Sequence, residues 1–113
     1  MPRARNGPVR GRTPDVAESA SAYRSAVRRR VIVHGFVQGV GFRYTIARAA
    51  TSRGVAGWVR NRPDGTVEAV FEGEPDVVES LVRLTEEGPR GSAVERVEVV
   101  EEEPEGLQRF DIR

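Results

Sequence analysis

Residues 31–54, with the sequence VIVHGFVQGVGFRYTIARAATSRG, decide the fold. The β-branched run Val31 to Val33 leads into Gly35, which is typical of a buried strand that ends at glycine. Apolar residues then recur at helical spacing, at Phe42, Ile46, Ala49 and Ala50. Gly54 follows them and supplies the left-handed conformation that ends a helix. The stretch therefore predicts a strand, a glycine-rich turn and a helix.

The rest of the chain predicts four further strands and a second helix. Two extended runs, 55–60 and 66–71, flank a Pro-Asp-Gly turn at 63–65. Pro75 opens a second helix, whose apolar positions are Val77, Val78, Leu81 and Leu84. A valine-rich strand over 94–100 and a short segment with Phe110 and Ile112 complete the chain. The order β-α-β-β-α-β, with a short final strand, predicts an α+β ferredoxin-like sandwich: an antiparallel sheet with both helices on one face.

Composition excludes several classes of protein. The 113 residues are 38% hydrophobic and 31% charged, enough for one domain with a modest core. Because cysteine is absent and His34 is the single histidine, we expect no disulfide, no cysteine nucleophile and no metal site. No apolar run approaches the roughly 18 residues of a membrane span. These features predict a cytoplasmic protein that does not contact a membrane.

The N-terminal segment differs from the rest in charge. Residues 1–30 carry eight arginines against Asp15 and Glu18, whereas the remainder is net acidic. Without apolar periodicity, residues 1–28 are predicted to be a disordered Arg-rich extension, and residues 29–113 the folded domain. A secretory signal is excluded because the segment has no apolar stretch of the required length. Its charge leaves a nucleic-acid-binding arm as the alternative.

The segment 35–43, GFVQGVGFR, lies between the predicted strand and helix. Gly39 and Gly41 permit backbone conformations that turn successive N–H groups toward one point, beside the unpaired N–H groups of the first helical turn. Such a nest can bind an anion, and Arg43 could grip two phosphate oxygens with its fork. Neither a Walker loop nor a dinucleotide fingerprint matches the spacing. On spacing alone, a tight turn with an exposed arginine explains the pattern equally well.

Asn61 is the second candidate site residue. It ends the strand of Gly57 and Val59, and alternation places it on their face. An asparagine before a hairpin turn usually serves turn chemistry. The functional alternative is that its amide, which carries both a donor and an acceptor, positions a water molecule.

Two runs of the sequence resemble the signatures of the acylphosphatase family. The first is V-x-G-x-V-Q-G-V-G-F-R, from Val33 to Arg43, and the second is G-W-V-x-N-x-x-x-G-x-V, from Gly57 to Val67. The resemblance covers about residues 29–113. The N-terminal extension is unusual for the family, and Arg62-Pro63 is a variant of the loop after Asn61.

The resemblance implies an enzyme that hydrolyses the carboxyl–phosphate bond of acyl phosphates without a cofactor. Arg43 matches the phosphate-binding arginine of the family, and Asn61 matches the residue that orients the attacking water. The backbone N–H groups that would cradle the phosphoryl group belong to Gln38, Gly39, Val40, Gly41, Phe42 and Arg43. The expected partners are a small-molecule acyl phosphate and inorganic phosphate, the latter as product and competitive inhibitor. We expect a monomer that binds no nucleic acid.

Two alternatives remain open beside this interpretation. One is a non-catalytic or RNA-binding module of the same fold that uses the basic arm, with Trp58 stacking bases; the acidic domain and the missing aromatic motif favour Trp58 as a core residue. The other is a carbamoyl-phosphate-handling domain of a far longer, cysteine-rich carbamoyltransferase. His34 lies close to the predicted cradle, but a structural or solvent-facing role is favoured over a catalytic one.

Overall fold

In residues 26–113, which the computed structural model describes, five strands and two helices follow the predicted order. They are β1 (Val27–Phe36), α1 (Phe42–Ser52), β2 (Ala56–Asn61), β3 (Val67–Gly73), α2 (Pro75–Glu87), β4 (Ala93–Glu102) and β5 (Phe110–Ile112). The predicted ferredoxin-like α+β fold is confirmed. No helix within the described range has the length and apolar character needed to span a membrane.

The strands form one sheet in the order β4-β1-β3-β2-β5. Four of them pair antiparallel as predicted, but β5 runs parallel to β2, with Gly57 opposite Phe110. The sheet is therefore mixed, and the prediction of a purely antiparallel sheet was wrong at this edge. The reason is topological: β4 and β5 occupy opposite edges, and the connection over 103–109 joins them along one end of the sheet. A strand reached in that way runs opposite to β4, which is the direction of β2.

Both helices contribute to one apolar core. Alternate strand residues and the inward-facing residues of α1 and α2 form a single buried cluster: Val31, Val33, Val37, Phe42, Ile46, Ala50, Val55, Val59, Val67, Ala69, Phe71, Val78, Leu81 and Val82. Period-2 spacing in the strands and 3.6-residue spacing in the helices produce these two faces. The core covers one side of the sheet and leaves the two loops that follow β1 and β2 at its rim.

The opposite side of the sheet carries charged residues. Arg28 and Arg30 of β1 bond to carboxylates of the neighbouring strands, chiefly Glu68, Glu72 and Glu102. The strand therefore begins at Val27, and the two residues Val27 and Arg28, which the sequence assigned to the extension, belong to the sheet. Residues 1–25 of the predicted extension lie outside the described residues.

Candidate active site

The loop between β1 and α1 forms one wall of a cavity at the rim of the sheet. Gly39 and Gly41 have φ angles of 78° and 76°, in the left-handed region that favours glycine. Gly41 is the N-cap of α1, where the described residues provide no side-chain hydrogen bond and no acidic residue in the first turn. Because the first N–H groups of a helix have no intrahelical partner, this end of α1 presents donors and a partial positive charge to the cavity.

Arg43 stands in the first turn of α1 and lines the same cavity. Its Nη1 donates a hydrogen bond to the backbone oxygen of Arg113, just beyond β5, at 3.2 Å. This contact uses one of the five N–H donors of the guanidinium. The last residues of the chain thus hold Arg43 beside the glycine loop, in a position where its remaining donors can meet an anion.

Asn61 approaches from a different part of the sheet. It is the last residue of β2, pairs with Val67 of β3, and shares the helix-facing side of the sheet with Gly57 and Val59, as the alternation predicts. Asn61 is partly buried and lines the cavity that Arg43 also lines. Two motifs whose key residues are 18 positions apart in the sequence therefore meet at one site.

The cavity has a volume of about 220 Å³. Its walls are formed by the glycine loop, the first turn of α1, and the ends of β2 and β5, with the residues Val37, Gly39, Gly41, Phe42, Arg43, Tyr44, Asn61 and Ile112. The structure thus brings four of the six predicted phosphate-binding residues to the cavity wall together with Asn61. Gln38 and Val40, the other two, do not line it.

Tyr44 and Ile112 line the cavity but were not predicted as site residues. Their side chains are 62% and 46% exposed, which gives the mouth of the cavity an apolar border beside the cationic wall. The guanidinium of Arg48 lies 5.8 Å from the centre of the Tyr44 ring. Tyr44 follows Arg43 in the first helical turn and could have been suspected on that ground. Ile112 is 69 residues from Arg43 in sequence, and nothing in the local pattern reveals their proximity.

The side chain of Gln38 was also missed. It points away from the cavity to the hairpin after Asn61, where its Nε2 donates to the backbone oxygens of Arg62 at 2.8 Å and Thr66 at 2.9 Å. The N–H of Arg62 donates to the same Thr66 oxygen at 2.9 Å. The glycine loop and the hairpin are therefore joined by hydrogen bonds as well as by the sheet.

The hairpin is also fixed within itself. The carboxylate of Asp64 accepts hydrogen bonds from the hydroxyl of Thr66 at 2.6 Å and from its backbone N–H at 3.0 Å. These bonds to the charged form hold the pKa of Asp64 below its ordinary value. An Asx turn of this kind is a local sequence feature, so the Asp-Gly-Thr order indicates it without a structure.

His34 and Trp58 lie on the charged side of the sheet, away from the cavity. His34 Nε2 is 2.6 Å from a carboxylate oxygen of Glu98 on β4. Trp58 is buried, 9% exposed, with the guanidiniums of Arg30, Arg60 and Arg113 at 5.7, 5.9 and 4.6 Å from its ring. Such cation–π stacking occupies the indole and leaves it unsuited to stacking a base. Trp58 is thus buried as expected, but under arginines and outside the helix-covered core.

Comparison with known proteins identifies the family of the chain. The family model described as Acylphosphatase matches residues 29–112. An acylphosphatase of Thermococcus kodakarensis is 55% identical over 86 residues, which cover 76% of this chain and 94% of that protein. Among solved structures, an acylphosphatase from Bacillus subtilis matches with a TM-score of 0.74 and 43% identity, covering 77% of this chain and 98% of that one. An acylphosphatase from Coxiella burnetii matches with a TM-score of 0.77 and 35% identity, covering 81% and 97%.

Proposed function

The chain belongs to the acylphosphatase family and is an acylphosphatase, and from that premise we propose how it hydrolyses an acyl phosphate. Arg43 and the backbone N–H groups of residues 38–43 hold the phosphoryl group, and Asn61 positions the water that attacks phosphorus. The observation that carries the proposal is that the glycine loop, Arg43 and Asn61 line one cavity.

The leaving group determines whether the reaction needs a general acid. An acyl phosphate expels a carboxylate, and the conjugate acid of a carboxylate has a pKa of about 4. So good a leaving group departs without a general acid. Water attacks phosphorus as the P–O bond to the carboxylate breaks, which yields a free carboxylate and inorganic phosphate. The proposal therefore assigns no step to a metal ion or a cofactor.

The remaining task is to stabilise charge. Phosphoryl transfer passes through a loose transition state in which charge is spread over the three equatorial oxygens. Backbone N–H groups fixed by Gly39 and Gly41, the N-terminus of α1 and the fork of Arg43 are donors of the kind that stabilise such oxygens. Because the backbone already holds these groups in place, little reorganisation is needed when the charge moves.

Water is the second reactant, and we assign its position to Asn61. The side-chain amide offers a carbonyl acceptor for one hydrogen of the water and an N–H donor for its oxygen or for a phosphoryl oxygen. The proposal is supported by the backbone: Asn61 ends a strand and is followed by a hairpin whose internal hydrogen bonds hold it in place at the cavity wall. Holding the water close to phosphorus replaces an encounter in solution by a nearly unimolecular step.

We further propose that the enzyme works as a cytoplasmic monomer on small-molecule acyl phosphates. Its product, inorganic phosphate, carries the same tetrahedral oxygens as the substrate. Phosphate and sulfate should therefore inhibit competitively, by occupying the glycine loop and Arg43. Purely noncompetitive inhibition would contradict this placement of the anion.

Steady-state kinetics of two variants test the mechanism. Hydrolysis of an aryl acyl phosphate is followed by ultraviolet absorbance with EDTA present. Arg43→Gln should raise KM and lower kcat together, because Arg43 contacts the phosphoryl group in both the bound substrate and the transition state. Asn61→Ala should lower kcat by roughly 10²-fold, the scale for one preorganised donor, and leave KM nearly unchanged. Arg83→Gln, an exposed arginine on α2, is the matched control and should behave as wild type.

Two results would refute the assignment. Near-normal kcat in folded Asn61→Ala would leave this residue only its turn chemistry. The variant Asn61→Gln should restore little of the kcat that Asn61→Ala loses. Its longer side chain displaces the amide, and a displacement near 1 Å can itself cost about 10² in rate. Strict dependence of the wild-type rate on a metal ion would refute the mechanism as a whole. Circular dichroism of each variant establishes that it is folded before its kinetics are compared.

A further inference from the structure

The side chain of Gln38 joins the glycine loop to the hairpin after β2 by two hydrogen bonds. Its backbone lies in the glycine loop, but its amide reaches the hairpin after β2, 24 and 28 residues away in sequence. Both acceptors are backbone carbonyls, of Arg62 and Thr66, at 2.8 and 2.9 Å. They flank the turn that begins at the residue after Asn61.

The chemistry of this contact admits a single orientation. A primary amide has two N–H donors and one carbonyl acceptor, and here both donors meet carbonyl oxygens. Turning the amide over would place its oxygen against two other oxygens, so the side chain cannot satisfy the site in any other way. Each of the two carbonyls also accepts one backbone hydrogen bond within the hairpin, from Gly65 N–H to Arg62 oxygen and from Arg62 N–H to Thr66 oxygen, so loss of the amide would remove the bonds to the glycine loop and leave the hairpin closed on itself.

The strand pairing separates Asn61 from the glycine loop by one strand. The glycine loop follows β1, whereas Asn61 ends β2, and β3 lies between these strands in the sheet. Asn61 is therefore one strand removed from β1, and the sheet alone fixes its distance from the glycine loop only through β3, where Val67 pairs with both Val33 and Asn61. In-line attack requires the water oxygen to be held about 3–3.5 Å from phosphorus, and a displacement near 1 Å can cost about 10²-fold in rate.

We infer that Gln38 is a positioning residue, whose side chain holds the Asn61 hairpin at its working distance from the phosphate-binding loop. The inference rests on the proposed function, in which those loops hold the water and the phosphoryl group. The side chain of Gln38, unlike its backbone N–H in the proposed cradle, acts on the reaction through Asn61, and Gln38 does not line the cavity. Its removal should therefore lower turnover far more than it weakens the binding of phosphate, which needs the glycine loop and Arg43.

The primary variant is Gln38→Leu, which keeps the approximate volume of the side chain and removes both donors. We expect kcat to fall about 10- to 100-fold, by the cost of displacing a reactant by up to 1 Å, while the inhibition constant of inorganic phosphate changes less than about threefold. The matched control is Gln108→Leu, because Gln108 is exposed and, among residues 26–113, its side chain makes one hydrogen bond, to the nearby Gly106 oxygen at 3.4 Å. The control variant should keep the kcat of the wild type and its inhibition constant for inorganic phosphate.

A double-mutant cycle distinguishes positioning from a general structural effect. If Gln38 acts through Asn61, Gln38→Leu should change kcat less than about twofold in the Asn61→Ala background, because no positioned amide is left to lose. An equal loss of kcat in both backgrounds would overturn the inference alone. A normal kcat in Asn61→Ala by itself would refute the proposed function, and the inference would fall with it.

Gln38→Glu gives a second readout that does not depend on the leucine variant being stable. An ionised glutamate has no donor and repels the two carbonyls, whereas the protonated form regains one hydrogen bond. The ratio of its kcat to that of the wild type should therefore rise as the pH is lowered from about 7 to about 5, through a glutamate pKa raised by the carbonyls. A ratio that does not change with pH would overturn the inference.

Discussion

Replacement of Glu72 should destabilise the protein more than replacement of any exposed glutamate. The Glu72 side chain is 5% exposed, and its carboxylate accepts hydrogen bonds from Arg28 Nη1 at 2.7 Å and from the backbone N–H groups of Glu105, Gly106 and Leu107 at 2.8, 3.1 and 3.0 Å. Burial alone would raise the pKa of Glu72, but these hydrogen bonds outweigh it and hold the pKa below its ordinary value. The carboxylate thus fastens β1 and the loop before β5 to β3.

The magnitude follows from what Glu72→Gln leaves behind. Removing one partner of a buried ion pair costs about 3–5 kcal/mol, because the other charge stays buried without compensation. Arg28 retains Glu102, whose carboxylate its Nε meets at 2.7 Å, so the lower figure applies. We therefore expect a loss of about 3 kcal/mol, which in a domain of this size lowers Tm by roughly 12–24 °C.

Urea unfolding at pH 7, followed by circular dichroism, measures this loss. The transition midpoint should fall while the slope m stays unchanged, since the surface exposed on unfolding is the same. The matched control is Glu101→Gln: Glu101 is 80% exposed and lies 3.7 Å from Arg29, a surface pair worth less than about 1 kcal/mol. If the two variants differ by less than about 1 kcal/mol, Glu72 is not the anchor that its contacts suggest.

Two further predictions concern acid and the N-terminal segment. Hydrogen bonds from Arg30 and Arg28 lower the pKa of Glu102 to about 2, so its contribution is complete above the pKa of the unfolded chain, about 4.3, and is lost as the pH falls toward 2. The free energy of unfolding should decrease less steeply across that window in Glu102→Gln than in the wild type, as measured by urea titrations at successive pH values; equal slopes would contradict the assignment. Deletion of residues 1–25, which leaves β1 intact from Val27, should keep kcat and Tm nearly unchanged, and a fall of more than a few degrees by calorimetry would show that the segment packs on the domain.

Local patterns in the sequence were enough to predict the order of the elements. Period-2 and period-3.6 spacing of apolar residues, together with Pro75 and the glycines that end helices, located both helices and the four long strands. The start of β1 was missed because Val27 to Arg30 carries three arginines in a row and resembles a solvated tail. The partners that neutralise these arginines, such as Glu72 and Glu102, are 44 and 74 residues further along the chain. No local sequence pattern predicts ion pairs between residues so far apart in the chain.

The residues of the candidate site likewise fall into those that a local motif predicts and those that depend on long-range packing. Arg43 and Asn61 could be proposed from sequence because each lies within a contiguous motif, and the structure places both at one cavity. The amide of Gln38 is a different case: its residue is in the motif, but the direction of its side chain depends on where the hairpin of Thr66 packs. Ile112 depends in turn on the parallel pairing of β5, which the sequence pattern did not predict.

Stability and turnover should therefore be separable in this fold. Glu72 is opposite Ala56 at one end of the β2–β3 pair, and Asn61 is opposite Val67 at the other, five residues away along β2. At about 3.4 Å per residue, that separation is roughly 17 Å. The contacts of Glu72 thus fasten the end of the sheet remote from the cavity, whereas the amide of Gln38 fastens the catalytic end. Below its unfolding transition, Glu72→Gln should keep the kcat of the wild type, and Gln38→Leu should lose kcat with a far smaller loss of stability, because the two contacts lie at opposite ends of the sheet.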